Sequence, residues 1–251
     1  MNIYEAFEID INGNELVCFV GAGGKTTTMF MLAKELKRCG KEVLVTTTTS
    51  IYYPDDEHYD RILVGRSVDC DIVRKREKGS ILVFGKERSS ENKLCGVDKN
   101  YLELLYERKI FDHILVEADG AKRRPVKAPD FYEPVIPGNA TKNIGVVGLD
   151  ALGKYIDQDY VHRPELFCKV TGATAGNIID ESAIARLIIS KDGLFKLNPS
   201  DCKRYVLLNK SEDEKTRESA LCIIDSLKKE QAPINRFIIG SMINGTITDC
   251  L

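Results

Sequence analysis

The chain is 251 residues long, 43% hydrophobic and 29% charged, with a formal net charge of −2. That length and apolar content suit one globular α/β domain over residues 1–251, and the near-neutral balance argues against a surface built to grip nucleic acid, where a basic excess is the rule. No stretch approaches the length of a membrane helix, and Glu5, Glu8 and Asp10 fall where an export signal needs an apolar core. Neither membrane binding nor secretion is therefore expected, and the protein is placed in the cytoplasm.

Residues 1–14 read as a short amphipathic lead-in that closes on the Asn12-Gly13-Asn14 turn. An apolar run at 16–20 then stops at Gly21-Ala22-Gly23-Gly24-Lys25-Thr26-Thr27. The glycines let consecutive N–H groups converge on one point, while Lys25 and Thr26 open a helix whose positive end faces the same point, which makes a phosphate cradle. The full pattern G-x-x-x-x-G-K-[ST] asks for glycine five positions before Gly24, where the chain has Phe19, so only the core Gly-Gly-Lys-Thr is met. Met29, Leu32, Ala33 and Leu36 share one helix face, Gly40 ends that helix, and a second strand is expected at 42–46. In this strand, turn, helix and strand setting, Gly21, Ala22, Gly23, Gly24, Lys25, Thr26 and Thr27 are expected to hold ATP or GTP, with Mg2+ on Thr26.

The run Thr46-Thr47-Thr48-Thr49-Ser50 puts hydroxyls at the C-terminal edge of a strand, where ligands sit in open α/β sheets. It nominates Thr47 as a further Mg2+ ligand, although the preference of threonine for strands explains the run equally well. Residues 52–79 are polar, and the cluster Arg74-Lys-Arg-Glu-Lys78 reads as a solvated helix face. Strands at 80–84 and 111–116 flank a helix near 99–108. Such alternation means a mostly parallel sheet flanked by helices, a P-loop NTPase-like three-layer α/β architecture.

The strand at 111–116 ends in Glu117-Ala-Asp119-Gly120. Acids at that edge, beside the cradle, are what a Mg-nucleotide needs; Asp119 is assigned to Mg2+ and Glu117 to the attacking water, with Lys25 as their catalytic companion. Next, Ala121-Lys122-Arg123-Arg124-Pro125-Val126-Lys127-Ala128-Pro129 carries four cations on a stiff loop. Arg123 is read as neutralising phosphate charge in the transition state. Lys122, Arg124 and Lys127, with His162 and Arg163 of a later loop, are read as holding an anionic second substrate.

A strand at 143–148, a helix opened by Asp180, a strand at 205–208, a helix near 216–230 and a strand at 235–239 complete the domain. The strand at 205–208 runs into Asn209-Lys210-Ser211-Glu212-Asp213. Guanine-specific P-loop proteins place Asn-Lys-x-Asp after such a strand, because the acid accepts two N–H bonds from the guanine edge. The aspartate here comes one residue late, so Asn209 and Lys210 are expected at the nucleotide while ATP against GTP stays open. The eight cysteines form no Cys-x-x-Cys pair and read as reduced, mostly buried thiols; His58, His113 and His162 show no zinc-ligand spacing.

With Gly-Ala-Gly-Gly-Lys-Thr-Thr, the four threonines, Glu-Ala-Asp-Gly-Ala-Lys-Arg-Arg-Pro-Val-Lys-Ala-Pro, Glu-Pro-Val-Ile-Pro, His-Arg-Pro-Glu and Leu-Asn-Lys in this order, the chain resembles the YqeC family over about residues 12–245. The block 117–137 is the most specific part of the likeness. The family is described as accessory proteins of selenium-dependent molybdenum hydroxylases. The resemblance implies a bacterial cytoplasmic protein that helps install the selenium-containing molybdenum centre, with a molybdenum hydroxylase, molybdopterin or a selenium donor as partner. The residue pattern by itself speaks only for the nucleotide site. Two other readings stand beside it: a nucleotide-gated adaptor or cofactor carrier that hydrolyses nothing alone, and an ATP-dependent ligase, since the glycine loop is similar to that of Mur ligases. Cys95, in polar surroundings, is the cysteine to test as a selenium carrier.

Overall fold

The computed structural model describes residues 1–67 and 78–251. Its central sheet is built, in chain order, from β1 (Glu15–Gly21), β2 (Glu42–Thr47), β3 (Arg61–Val64), β4 (Ser80–Gly85), β5 (His113–Glu117), β6 (Lys142–Gly148), β7 (Lys203–Asn209), β8 (Arg236–Ser241) and β9 (Thr246–Cys250). The helices are α1 (Ile3–Ala6), α2 (Lys25–Arg38), α3 (Lys99–Glu107), α4 (Pro164–Thr171), α5 (Glu181–Ile189) and α6 (Glu214–Lys229).

β1 is buried along its whole length, and its side chains alternate between two cores. Leu16, Cys18 and Val20 face the core closed by Leu102 of α3, Phe167 of α4, Ile184 and Leu187 of α5, and Ile223 and Leu227 of α6. Val17 and Phe19 face the core closed by Ile3 of α1 and by Met29, Leu32, Ala33 and Leu36 of α2, the four residues whose spacing predicts that face. A strand apolar on both sides belongs in the middle of a parallel sheet with helices on either face, and the three-layer α/β architecture follows.

Across the sheet the order is β9-β8-β7-β6-β1-β5-β2-β4-β3. Every neighbouring pair is parallel except β8 and β9. From β1 the chain crosses to β2, comes back to lie beside β1 as β5, then continues on the far side of β1 as β6, β7 and β8. The strand order thus reverses at β1, and the crevice outside its carboxyl end is where open α/β sheets bind ligands.

The structure departs from the sequence expectation in several places. The polar stretch after Tyr52 contributes β3, and Ser50–Tyr52, Glu87–Arg88 and Lys93–Cys95 form a small antiparallel sheet. Strands of two to four residues are too short to show a period. His162-Arg163-Pro164-Glu165, read as a loop, leads into α4 with Pro164 at the first turn, where its missing N–H costs nothing. The sheet continues past β8 into β9. Among the described cysteines only Cys18 and Cys202 are buried; Cys39 follows the last turn of α2 and Cys222 lies on α6, both exposed, so most thiols do not sit in the core. Arg74 to Glu77 of the expected charged helix face lie outside the described residues. Among those described, no helix is long and apolar enough to cross a membrane.

Candidate functional site: a glycine cradle with buried acids

The carboxyl end of β1 turns through Gly21, Gly23 and Gly24 at φ of +88°, +84° and +130° before α2 begins. A Cβ on Gly23 would lie 2.4 Å from the Gly148 nitrogen, and one on Gly24 would lie 2.2 Å from Asn209 Nδ2, so neither position has room for a side chain. The Ala22 N–H donates to Val146 O at 2.9 Å and the Gly21 N–H to Asp119 Oδ2 at 3.0 Å, which ties the loop to β6 and to the segment just past β5. Past that point the N–H groups of Gly23, Gly24, Lys25, Thr26 and Thr27 find no acceptor among the described residues. With the N-terminal end of α2 they form a concave set of donors suited to an oxyanion.

Lys25 is buried, and its ammonium donates to Gly21 O at 2.6 Å and pairs with Asp119 Oδ1 at 2.8 Å and Glu117 Oε1 at 3.5 Å. Burial disfavours its charge, but the two carboxylates outweigh that and hold its pKa above the ordinary lysine value. The two acids differ in environment. Burial acts to raise the Asp119 pKa, yet Lys127 and Lys25 overcome it and bring it below the usual carboxylate range. Glu117 is raised, because burial outweighs the help it receives from Lys25 and the Thr26 hydroxyl.

Sequence reasoning gives Asp119 to Mg2+ and Glu117 to a water, and the geometry corrects that division. Asp119 is enclosed by Lys25, Lys127 and the Gly21 N–H, two residues past the end of β5 and beneath the loop. Glu117, the last residue of β5, lines the cavity and accepts the Thr26 hydroxyl at 2.6 Å. Thr47 is likewise corrected: it is fully buried, its hydroxyl donates to Glu117 O at 2.8 Å and accepts the Thr49 N–H at 3.0 Å, so it serves the backbone. Mg2+ that arrives with a nucleotide takes one or two protein oxygens and fills the rest of its octahedron from phosphates and water. The hard oxygens of Thr26 and Glu117 at the mouth of the cradle fit that requirement, whereas no group of three His, Cys, Asp or Glu converges among the described residues.

Lys127 is corrected too. Expected to meet a second substrate, it is fully buried: its Nζ contacts Asp119 Oδ2 at 3.0 Å and donates to Glu133 Oε2 at 2.7 Å and Gly120 O at 2.8 Å. Glu133 in turn accepts from Arg163 Nη1 at 2.7 Å, and Arg163 Nε lies 3.4 Å from Asp130. Lys25, Asp119, Lys127, Glu133 and Arg163 thus form a ladder of alternating charge from the cradle to the opposite wall. Glu133 goes unassigned in the sequence reading; its signal is a carboxylate six residues after Lys127, at the head of the Glu133-Pro-Val-Ile-Pro137 segment.

The cavity above this ladder is about 600 Å³ and also takes in Tyr52, Lys93, Lys122, Arg123, Arg124 and His162. Arg123 stacks on Tyr52, its Cζ 4.0 Å from the ring centre; Arg124 Nη2 lies 3.9 Å from Asp159. Burial, Arg163 and Lys127 lower the His162 pKa to about 4, so the imidazole is neutral at physiological pH. Lys210 lines the cavity with its Nζ 2.7 Å from Asp150 Oδ2. Asn209, expected at the base, braces the loop: its Nδ2 donates to Gly23 O at 2.7 Å and its Oδ1 accepts the Met242 N–H at 2.9 Å. Cys95 does not line the cavity.

A glycine loop between a central parallel strand and a helix, with a lysine and a threonine at the first helical turn and an acid from the adjacent strand, defines a P-loop NTPase-like α/β protein. Residues 17–165, more than half of the chain, match the family described as "YqeC protein". A relative from Escherichia coli (strain K12), named "Uncharacterized protein YqeC", is 32% identical over 208 residues, covering 82% of this chain and 80% of that one. The chain belongs to the YqeC family. Among solved structures, it is similar to chloroplast FtsY from Physcomitrella patens, at 13% identity and a TM-score of 0.43, over 94% of this chain and 65% of that one. It is also similar to FtsY from Mycoplasma mycoides, at 9% identity and a TM-score of 0.33, over 94% and 58%. The chain spans less than two thirds of the length of either FtsY chain, and likeness of that degree carries no functional argument.

Proposed function

We propose that this protein binds a Mg-nucleotide, ATP or GTP, in the cradle of Gly21 to Thr27. The observation that carries the reading is the run of five N–H groups without an acceptor among the described residues, set beside the Lys25 ammonium and the Thr26 hydroxyl. In this reading the loop amides and Lys25 hold the β- and γ-phosphates, and Thr26 with Glu117 takes the metal, whose chemistry is to neutralise charge between those phosphates. Asp119 is a positioning residue that keeps Lys25 and the Gly21 amide in place.

Gly24→Ala should test the cradle without touching a charge. An alanine there must both adopt a φ of +130° and displace Asn209, at a cost of about 1–3 kcal/mol, which corresponds to roughly 5- to 150-fold weaker nucleotide binding by calorimetric titration. Wild-type affinity in that variant would count against this loop as the phosphate site.

The raised Glu117 pKa sets the sign of a pH effect. The folded chain holds this proton more tightly than the unfolded chain, so Glu117 favours folding at low pH, and that contribution is lost as pH rises through its raised value. Metal binding needs the carboxylate and runs the other way. The gain in nucleotide affinity on adding Mg2+ should therefore grow as pH rises above the usual carboxylate range, and Glu117→Gln should flatten that profile. A Mg2+ effect of the same pH dependence in both proteins would remove Glu117 from the metal site.

Membership of the YqeC family supports a finer reading: a cytoplasmic accessory protein in maturation of the selenium-containing molybdenum centre, acting on a molybdenum hydroxylase, molybdopterin or a selenium donor. A strain lacking the gene should lose activity of such a hydroxylase and regain it with the wild-type gene but not with Lys25→Ala. One observation favours the non-hydrolysing, nucleotide-gated variant of this role. In that reading Glu117 is taken by the metal and Glu133 by Lys127 and Arg163, so among the described residues neither carboxylate lining the cavity is left as a base.

A further inference from the structure

One wall of the cavity does not belong to the cradle. Ala121 to Arg124 form a tight turn closed by the Arg124 N–H to Ala121 O at 2.9 Å, with Lys122 at φ +47° and Arg123 at φ +62°. Turns with positive φ at both central positions are ordinarily filled by Asn-Gly or Gly-Gly, because a side chain there crowds the backbone. Here two long cations occupy them and line the cavity. Lys122 has no hydrogen-bond or ion-pair partner among the described residues, and Arg123 has only the face of Tyr52, which leaves the guanidinium edge open.

The surroundings add charge of the same sign. Lys93, Arg124 and Arg163 also line this end; Lys93 is paired with Glu91 at 2.6 Å, and the lining carboxylate here, Glu133, already serves Lys127 and Arg163. His162 is neutral and adds no positive charge. Arg124 is answered by Asp159, Arg163 by Glu133 and Asp130, and Lys93 by Glu91, which also acts electrostatically on Lys122; Lys122 and Arg123, on a strained turn, are the two cations without a paired carboxylate among the described residues, and a ligand that brings negative charge would answer them. A planar guanidinium with its edge free is suited to a carboxylate or a phosphate, taken two oxygens at a time.

We propose that this end of the cavity is a second oxyanion subsite, which holds a small molecule bearing a carboxylate or phosphate group beside the nucleotide's terminal phosphate. Lys122 and Arg123 make the direct contacts, and Arg163, locked by Glu133 and Asp130, positions the opposite wall. Within the basic segment the roles divide, since Lys127 is structural while Lys122 and Arg123 are the pair open to a ligand. The inference rests on the reading that the neighbouring cradle takes a nucleotide.

The test uses the full chain and two titrations. First, Mg2+ with a non-hydrolysable ATP or GTP analogue is titrated into the protein; then inorganic phosphate, and in a separate arm acetate, is titrated with and without saturating analogue. Saturable binding of one probe is expected, with whichever of phosphate or acetate binds better naming the source of the oxyanion. Lys122→Ala should weaken it at least tenfold while changing analogue affinity less than threefold, and Arg123→Gln should weaken probe binding at least tenfold. Lys122→Gly and Arg123→Gly add a readout that a structural role would not give: binding of the probe is lost while the thermal midpoint holds or rises, because glycine relieves the turn. Absence of saturable probe binding in every arm overturns the subsite and leaves the nucleotide reading intact. Equal losses of probe and analogue would also overturn it, by assigning these cations to the nucleotide. Failure of the first titration alone sinks the parent reading, and the arm without analogue then decides the subsite by itself.

Discussion

Lys127→Met should destabilise the fold by about 3–5 kcal/mol in urea denaturation, the range for removing one partner of a buried, hydrogen-bonded ion pair. The lysine lies between Asp119 and Glu133 with a third acceptor at Gly120 O, so its loss removes a cation from two buried acids at once. The lowered Asp119 pKa gives the same expectation a pH signature. Its contribution to stability is present above the unfolded-state value and is lost as pH falls through the folded value, and in Lys127→Met that acid-side loss should shrink. Lys127→Met/Glu133→Gln should not recover the deficit, since Glu133 keeps Arg163 when Lys127 is gone and the second change leaves that guanidinium with Asp130 alone. A stability within about 0.5 kcal/mol of wild type would mean the ladder is not the brace it is taken for.

Lys25→Ala should act on binding more than on stability. Asp119 keeps Lys127 and the Gly21 N–H when Lys25 is gone, and Glu117, the other partner of Lys25, keeps the Thr26 hydroxyl, so each acid retains support. The nucleotide phosphates lose their ammonium altogether, and affinity for Mg-ATP or Mg-GTP should fall roughly 100-fold, the equivalent of about 3 kcal/mol for a charge-assisted contact. The pairing of the two variants is informative: one lysine of the ladder governs the ligand, the other the scaffold. Unchanged nucleotide affinity in Lys25→Ala would break the link between the cradle and function.

The parts of this structure that were legible in the sequence are those in which the chemistry and the local period coincide. β1, the glycine turn and α2 are one continuous signal: an apolar run, three glycines at positive φ, and Met29, Leu32, Ala33 and Leu36 on one face. The acids at the end of β5 were visible for the same reason. Their division of labour was not, because it depends on the path of the backbone over the next two residues, which carries Asp119 under the loop and leaves Glu117 beside Thr26. Thr47 and Asn209 show the same limit. Each has the right side chain at the right strand end, but each is spent on a backbone partner that only the packed loop supplies. Lys127 and Arg123 sit on one basic segment and read alike, yet one is buried between carboxylates and the other lies on an aromatic ring, a difference set by Glu133 and Tyr52 from elsewhere in the chain.

The central claim is that converging amides and the Lys25 ammonium hold the phosphates of a nucleotide with its magnesium. Equilibrium titration of the wild-type chain with ATP and with GTP, each in the presence and absence of Mg2+, tests it most directly. Saturable binding of at least one of the two, tightened by Mg2+, is the predicted result; no binding of either nucleotide under any of the four conditions would contradict it.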